Sequence, residues 1–158
     1  MSVAISVFIR INIRMKVRFS YPSNERQRQK EIIIKKICDL VEQKIKLPNS
    51  IVVEFKNLGD HIYAETLIHP SVRNKIILNY KLGVKEVIKP VIHELIHLSQ
   101  MYTGQLRMGM LGHYIWEGDS YSYINNQKLS FKDYQNLPWE ADVKHREREL
   151  LEYVLNSV

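Results

Sequence analysis

Between residues 9 and 19 the chain alternates without a break, with Ile9, Ile11, Ile13, Met15, Val17 and Phe19 on one side and Arg10, Asn12, Arg14, Lys16 and Arg18 on the other. A period of two sends successive side chains to opposite faces, so this stretch predicts a half-buried strand with a basic outer face. Tyr21-Pro22-Ser23-Asn24 interrupts it. Beyond, Ile32, Ile33, Ile37, Leu40, Val41 and Ile45 recur at helical spacing, which predicts a helix capped by Ser23 or Asn24 and running to about residue 46. After Leu47-Pro48-Asn49-Ser50 come three short β-rich runs, 51–55, 61–68 and 75–80. Asn57-Leu58-Gly59-Asp60 and His69-Pro70-Ser71 separate them with the turn chemistry of a small sheet.

A second helical pattern opens at Gly83 and sets Val84, Val87, Ile88, Val91, Ile92, Leu95, Ile96, Ser99 and Tyr102 on or near one face, with Gly104 placed to cap its end. Pro90 conflicts with so early a start, because proline lacks an amide hydrogen and crowds the preceding turn; the pattern therefore predicts a later start or a kink. Residues 105–116, followed by Gly118, read as an irregular hairpin or loop, and a last helix is expected over 138–155 with Pro138 in its first turn. The whole predicts an α+β fold in one domain spanning residues 1–158. Its expected parts are a small, twisted, mostly antiparallel sheet, an N-terminal helix packed on it, a second helix beside that one, and a C-terminal helix.

Composition narrows the chemistry. A content of 45% hydrophobic and 25% charged residues is that of an ordinary globular chain and excludes a disordered or fibrous class. Cys38 is the only cysteine, so an intramolecular disulfide and a cysteine-held metal are excluded and any metal must rest on histidine and carboxylate. Met1-Ser2-Val3-Ala4 carries no basic leader and Arg10 precedes any long apolar run; a signal peptide and a membrane span are not expected, and the cytoplasm is the expected compartment. The net charge of +6 suits a nucleic-acid partner, yet the charges read as spread along the chain, with local clusters only at Arg10, Arg14, Lys16 and Arg18 and at Arg26, Arg28 and Lys30. Cys38 is expected to be buried and inert, Trp116 and Trp139 to be packing anchors, and His61 and His69 to be solvated.

Within the second helix stands His93-Glu94-Leu95-Ile96-His97, the pattern H-E-x-x-H. Residues four apart on a helix project from one face a turn apart, so two imidazoles reach one zinc ion, each at roughly 2 Å. Glu94 lies about 100° around the helix from His93, where it meets the water beside the metal and not the metal itself. The pattern arises by chance in about one per cent of chains of this length, and its place on an amphipathic helix after a strand adds to its weight. A catalytic zinc takes three protein ligands and leaves a position open. Candidates for the third are His113, Glu117, Asp119, Glu140, Asp142, His145 and Glu147. Glu140 is preferred, because Pro138 and Trp139 at the start of the last helix would fix its direction; His113 and His145 are the histidine alternatives.

These residues resemble the zincin metallopeptidases, and within them the gluzincin branch, whose third ligand is a glutamate on a later helix. Val91-Ile92-His93-Glu94-Leu95-Ile96-His97-Leu98-Ser99-Gln100, then Thr103-Gly104, Trp116-Glu117-Gly118, Tyr134 and Pro138-Trp139-Glu140-Ala141 resemble the small metallopeptidase-like proteins of phages and archaeal viruses. The likeness covers about residues 75–151 and leaves the N-terminal third unmatched. It implies a minimal zincin-like fold, one Zn2+ per chain on His93, His97 and Glu140, Glu94 as general base, and a peptide or protein as substrate. Where some gluzincins carry an aspartate four residues after the third ligand to orient a zinc-binding histidine, this chain has Lys144, which leaves Asp142 or Glu147 for that task. The likeness also implies a substrate strand paired with the run containing Tyr63 and Ala64. Tyr114, Tyr121, Tyr123 and His113 are open candidates for stabilising an oxyanion. Two further functions fit the same motif: a SprT-like protease acting on proteins bound to nucleic acid, and a latent or non-catalytic binding protein on the zincin scaffold.

Overall fold

The computed structural model describes residues 14–20, 24–67, 74–121 and 129–158. Its elements, in chain order, are β1 (Lys16–Phe19), α1 (Glu25–Val41), β2 (Ser50–Lys56), β3 (Ala64–Thr66), β4 (Lys75–Asn79), α2 (Ile88–Tyr102), β5 (Leu106–Met108), β6 (Tyr114–Trp116), β7 (Asp119–Tyr121), α3 (Phe131–Gln135) and α4 (Pro138–Leu155). The fold is α+β, with two sheets among the described residues.

The main sheet has the order β1-β2-β4-β3. It departs from the mostly antiparallel sheet expected from the sequence, for β1 runs parallel to β2 and β2 parallel to β4, and only edge strand β3 runs antiparallel, to β4. The cause is the connections: α1 carries the chain back along the sheet between β1 and β2, so β2 returns in the same direction, and between β2 and β4 the chain runs back through β3 on the far side of β4. The second sheet, β5-β6-β7, is antiparallel throughout and gives regular structure to residues expected to be irregular. Glu117 at φ 49° and Gly118 at φ 99° make the two-residue turn between β6 and β7, where both central positions need left-handed backbone.

Helix α1 starts where Asn24 accepts the amide of Gln27, as the cap signal predicts, and ends at Val41, short of residue 46. The start of α2 at Ile88 resolves the conflict over Pro90. The proline falls within the first turn, where amides have no partner inside the helix and none is lost. Gly104, at φ 79°, follows the last turn as the left-handed cap. Helix α4 spans Pro138–Leu155, and its opening proline suits that position.

A large core joins the inner face of the sheet (Ile51, Val53, Phe55, Ile76, Leu78) to α1 (Ile34, Ile37, Cys38, Val41), α2 and α4 (Val143, Leu150, Val154). Helix α2 lies inside it, packed on α1, α4, β3, β4 and β5. Val91, Ile92, Leu95, Ile96 and Leu98 are buried, each stabilising the fold by about 1.5–3 kcal/mol. That sum offsets the cost of holding polar Glu94, His97, Ser99 and Gln100 in the same interior. Tyr102, expected on the buried face, is exposed at the end of the helix. A second, smaller cluster holds Leu106, Trp116, Leu137 and Trp139, so both tryptophans are packing anchors. Cys38 is buried within α1, and burial pushes its thiol up, which keeps it unreactive.

Candidate metal centre

The two clusters meet at one place, and the conspicuous histidines sit there. Helix α2 presents His93 and His97 one turn apart, their rings 4.9 Å apart and steeply tilted at 74°. The first turn of α4 brings Glu140 against them, its direction set by buried Trp139 and Leu137 on either side of Pro138. His93, His97 and Glu140 each offer one ligand atom, all within 4.8 Å of one another. Nε2 of His93 lies 3.5 Å from Glu140 Oε2, and Nε2 of His97 lies 3.2 Å from Glu140 Oε1. Ligands about 2.0–2.1 Å from a tetrahedral zinc stand roughly 3.3–3.5 Å apart, so these separations match one edge length of such a site.

The outer nitrogens settle how the rings are used. His93 Nδ1 faces Glu147 Oε2 at 2.9 Å, and a carboxylate can only accept, so Nδ1 donates. His97 Nδ1 faces Gln100 Oε1, also at 2.9 Å. That amide has one orientation only, because its Nε2 donates to the Trp139 carbonyl at 2.9 Å and to Asp142 Oδ2 at 2.8 Å, which turns the oxygen toward His97. Both imidazoles therefore hold a proton on Nδ1 and aim Nε2 at Glu140. Glu140 Oε1 is itself buried and without a hydrogen-bond partner, as expected of an atom placed for a cation. The donor set of two imidazoles and a carboxylate suits zinc.

Charge in the site is balanced locally. Burial opposes protonation of His93, yet Glu140 and Glu147 outweigh it and hold the ring up to about 10. Burial likewise opposes ionisation of Glu140, and the two histidines together with Tyr134 overcome it, keeping the carboxyl well below the usual range. A metal that binds here displaces the Nε2 proton of His93 and leaves the one on Nδ1. Glu147 also pairs with Lys89 at 3.4 Å, and Asp142 with Arg146 at 3.2 Å, so each outer carboxylate is anchored in turn.

Glu94 stands beside these ligands, 6% exposed, where burial raises its pKa against the pull of His97 and His93. Its backbone carbonyl is 3.5 Å from the Thr66 hydroxyl of β3, which ties the edge strand to α2. Of the other residues singled out in the sequence, Ala64 lies on β3 and Tyr63 just before it, 61% exposed. Tyr114 and Tyr121 pack on Trp139 with ring centroids 5.4 and 5.5 Å away. Tyr123 and His69 lie outside the described residues. The ring of His113 lies against Gly109, where even a Cβ would come within 2.3 Å of it, and His145 is exposed on α4. Neither histidine joins a metal-ligating group among the described residues. His61 is exposed.

Two participants had no role in the sequence reading. Gln100 follows His97 by three residues and so shares its side of the helix, a spacing that could have suggested the contact. Tyr134, on α3, hydrogen-bonds Glu140, and burial together with that carboxylate pushes its phenol up. Comparison with family models, with curated proteins and with solved structures found no match to the chain.

Proposed function

We propose that the protein is a zinc-dependent hydrolase, and specifically a peptidase of minimal zincin-like fold. The observation that supports this reading most is the pair of Nε2 atoms converging on Glu140 with both Nδ1 atoms engaged elsewhere. His93, His97 and Glu140 would hold one zinc ion. Zinc in such a site supplies Lewis acidity toward a carbonyl and brings the pKa of a water to near 7.

The chain's own residues do the rest. Glu94, with its pKa raised by burial, accepts the proton of the attacking water and delivers it to the leaving amine. Glu147 and Gln100 hold the two imidazoles in the required tautomer and orientation. Tyr134, whose phenol acts on Glu140, can donate to the oxyanion as the scissile carbonyl becomes tetrahedral. Edge strand β3 has one side unpaired among the described residues and lies against α2, so a peptide laid along Tyr63 and Ala64 would pass the metal position.

The test is cleavage of a random peptide library by zinc-loaded protein, with products read by mass spectrometry. Cleavage by the wild type, with kcat at least about 100-fold lower in Glu94→Gln and zinc retained, supports the peptidase reading. Stoichiometric zinc without cleavage of any peptide would favour the non-catalytic binding role.

A further inference from the structure

Strand β3 ends the main sheet, and its residues divide between two faces. Thr66 sends its hydroxyl to the Glu94 carbonyl and Ala64 packs on the larger core, so both point toward the helices. Glu65 between them points to the outer face, in one row with Ile77 of β4 and Glu54 of β2. The ladder continues one step before the strand, where the Tyr63 carbonyl accepts the Asn79 amide at 2.8 Å. Tyr63 therefore stands two positions from Glu65 on the same outer face, about 7 Å along the strand, and is exposed.

Backbone and charge limit what can lie along the free edge. The Tyr63 carbonyl and the Leu67 amide, which reaches the Lys75 carbonyl at 3.4 Å, both turn to β4, and by the period of two Glu65 does the same. Ala64 and Thr66 consequently turn their amides and carbonyls to the side left unpaired among the described residues. A peptide strand bonded antiparallel to these two places its intervening residue opposite Glu65 in a non-hydrogen-bonded pair, where Cα atoms stand about 4.5 Å apart and side chains lie closest. What faces that residue is an unmatched carboxylate. Lys56 and Lys75, the lysines of β2 and β4, both pair with Glu54, and Lys81 beyond β4 pairs with Asp60, whereas half-buried Glu65 makes no ion pair among the described residues.

We infer that the β3 edge selects an extended peptide by a lysine or arginine side chain, with the charged head on Glu65 and the stem across the Tyr63 ring. A ring and a carboxylate two positions apart on one face match a long cationic side chain, whose methylenes cover the ring while its head reaches the acid. An acidic residue at that place meets a like charge directly opposite, and an apolar one covers the carboxylate without pairing it. Thr66 bonds the backbone of Glu94, so the peptide residue opposite Thr66 lies nearest the candidate metal centre, and the antiparallel direction sets the cation next to it on the C-terminal side. The net charge of +6 works against this choice, so a preference for cations cannot come from the general field of the protein. The inference rests on the peptidase reading for the peptide's place beside the metal, and it names the class of substrate.

The experiment is fluorescence anisotropy of short labelled peptides of Ala, Ser and Val, one with a central Arg and one with a central Glu, titrated with the zinc-loaded full chain carrying Glu94→Gln so that no turnover intervenes. The Arg peptide is expected to bind about tenfold more tightly than the Glu peptide. Adding Glu65→Gln should reduce that ratio to about twofold or less, Glu65→Lys should invert it, and Tyr63→Ala should weaken the Arg peptide by about threefold. Glu149→Lys, the same charge change at an exposed position of α4, should keep the parent's ratio. Cleavage of a random peptide library by the zinc-loaded wild type separates the two readings. An Arg preference in binding without any cleavage leaves this assignment standing and sinks the peptidase. Cleavage with no Lys or Arg favoured within about two residues of the cut, or a preference that Glu65→Gln leaves unmoved, overturns the assignment and retains the peptidase. Failure of both peptides to bind would overturn it as well.

Discussion

The two hydrophobic clusters differ in size and in what they hold. The larger one encloses α2 on nearly every side and fixes His93, Glu94 and His97 as part of the general packing of sheet and helices. The smaller one, built on Trp116 and Trp139 with Leu106 and Leu137, places the first turn of α4 and with it Glu140. The candidate metal centre lies at their seam. Gln100 bridges it, since it is buried in α2 yet bonds the Trp139 carbonyl and Asp142 on α4. Two candidate ligands are thus inherited from the stability of the whole fold, while the third depends on a local contact that can be loosened by itself. A site divided in this way lets fold stability and metal affinity be varied separately.

The largest effect on stability should come from the first cluster. Ile96→Ala, at a fully buried position between the two histidines, should cost about 2–5 kcal/mol, seen as a lower urea midpoint with unchanged slope. If the loss were well under 1 kcal/mol, the helix would not be held as described. At the seam, Gln100→Leu should cost less, about 1–3 kcal/mol from the partners it leaves unpaired, but should weaken zinc binding about 10- to 100-fold. Unchanged zinc affinity would remove Gln100 from the site.

The smallest effect is a pH dependence remote from the metal. Lys30 is buried, donates from Nζ to the Tyr80 carbonyl at 2.8 Å, and has its pKa lowered, first by burial and then by Arg26. Between that lowered value and 10.5 the unfolded chain binds more protons than the folded one, so this residue makes stability rise with pH in that window. Denaturant midpoints measured at rising alkaline pH should show the rise in wild type and lose part of it in Lys30→Met.

Much of this was legible from side-chain order alone. The period of two through Val17 and Phe19 (its expected start at Ile9 lies outside the described residues), the helical spacing of α1, Pro138 at the start of α4, Asn24 as a cap and Gly104 as a terminator all express local geometry, and each appears where its chemistry sets it. His93 and His97 share a helix, so their approach follows from spacing, and the Pro138-Trp139 pair pointed to Glu140 because it fixes a helix start. What could not be read depends on partners distant in the chain. Alternation tells which face of β2 is buried but not that β1 and β4 flank it in parallel. Likewise Glu147 meets His93 across 54 positions and Gln100 meets Trp139 across 39, contacts that no local pattern encodes. The helix pattern from Gly83 overreached for a related reason, since Val84 and Val87 can face the core from a turn as well as from a helix.

The most direct measurement is zinc content and affinity of the purified chain, wild type beside His97→Ala, Glu140→Ala and Glu94→Ala. About one zinc per wild-type chain is expected, none in His97→Ala, weaker binding in Glu140→Ala and retained binding in Glu94→Ala. A wild-type chain that takes up no zinc even on reconstitution would contradict it, and unaltered affinity in Glu140→Ala would dismiss α4 as the source of the third ligand.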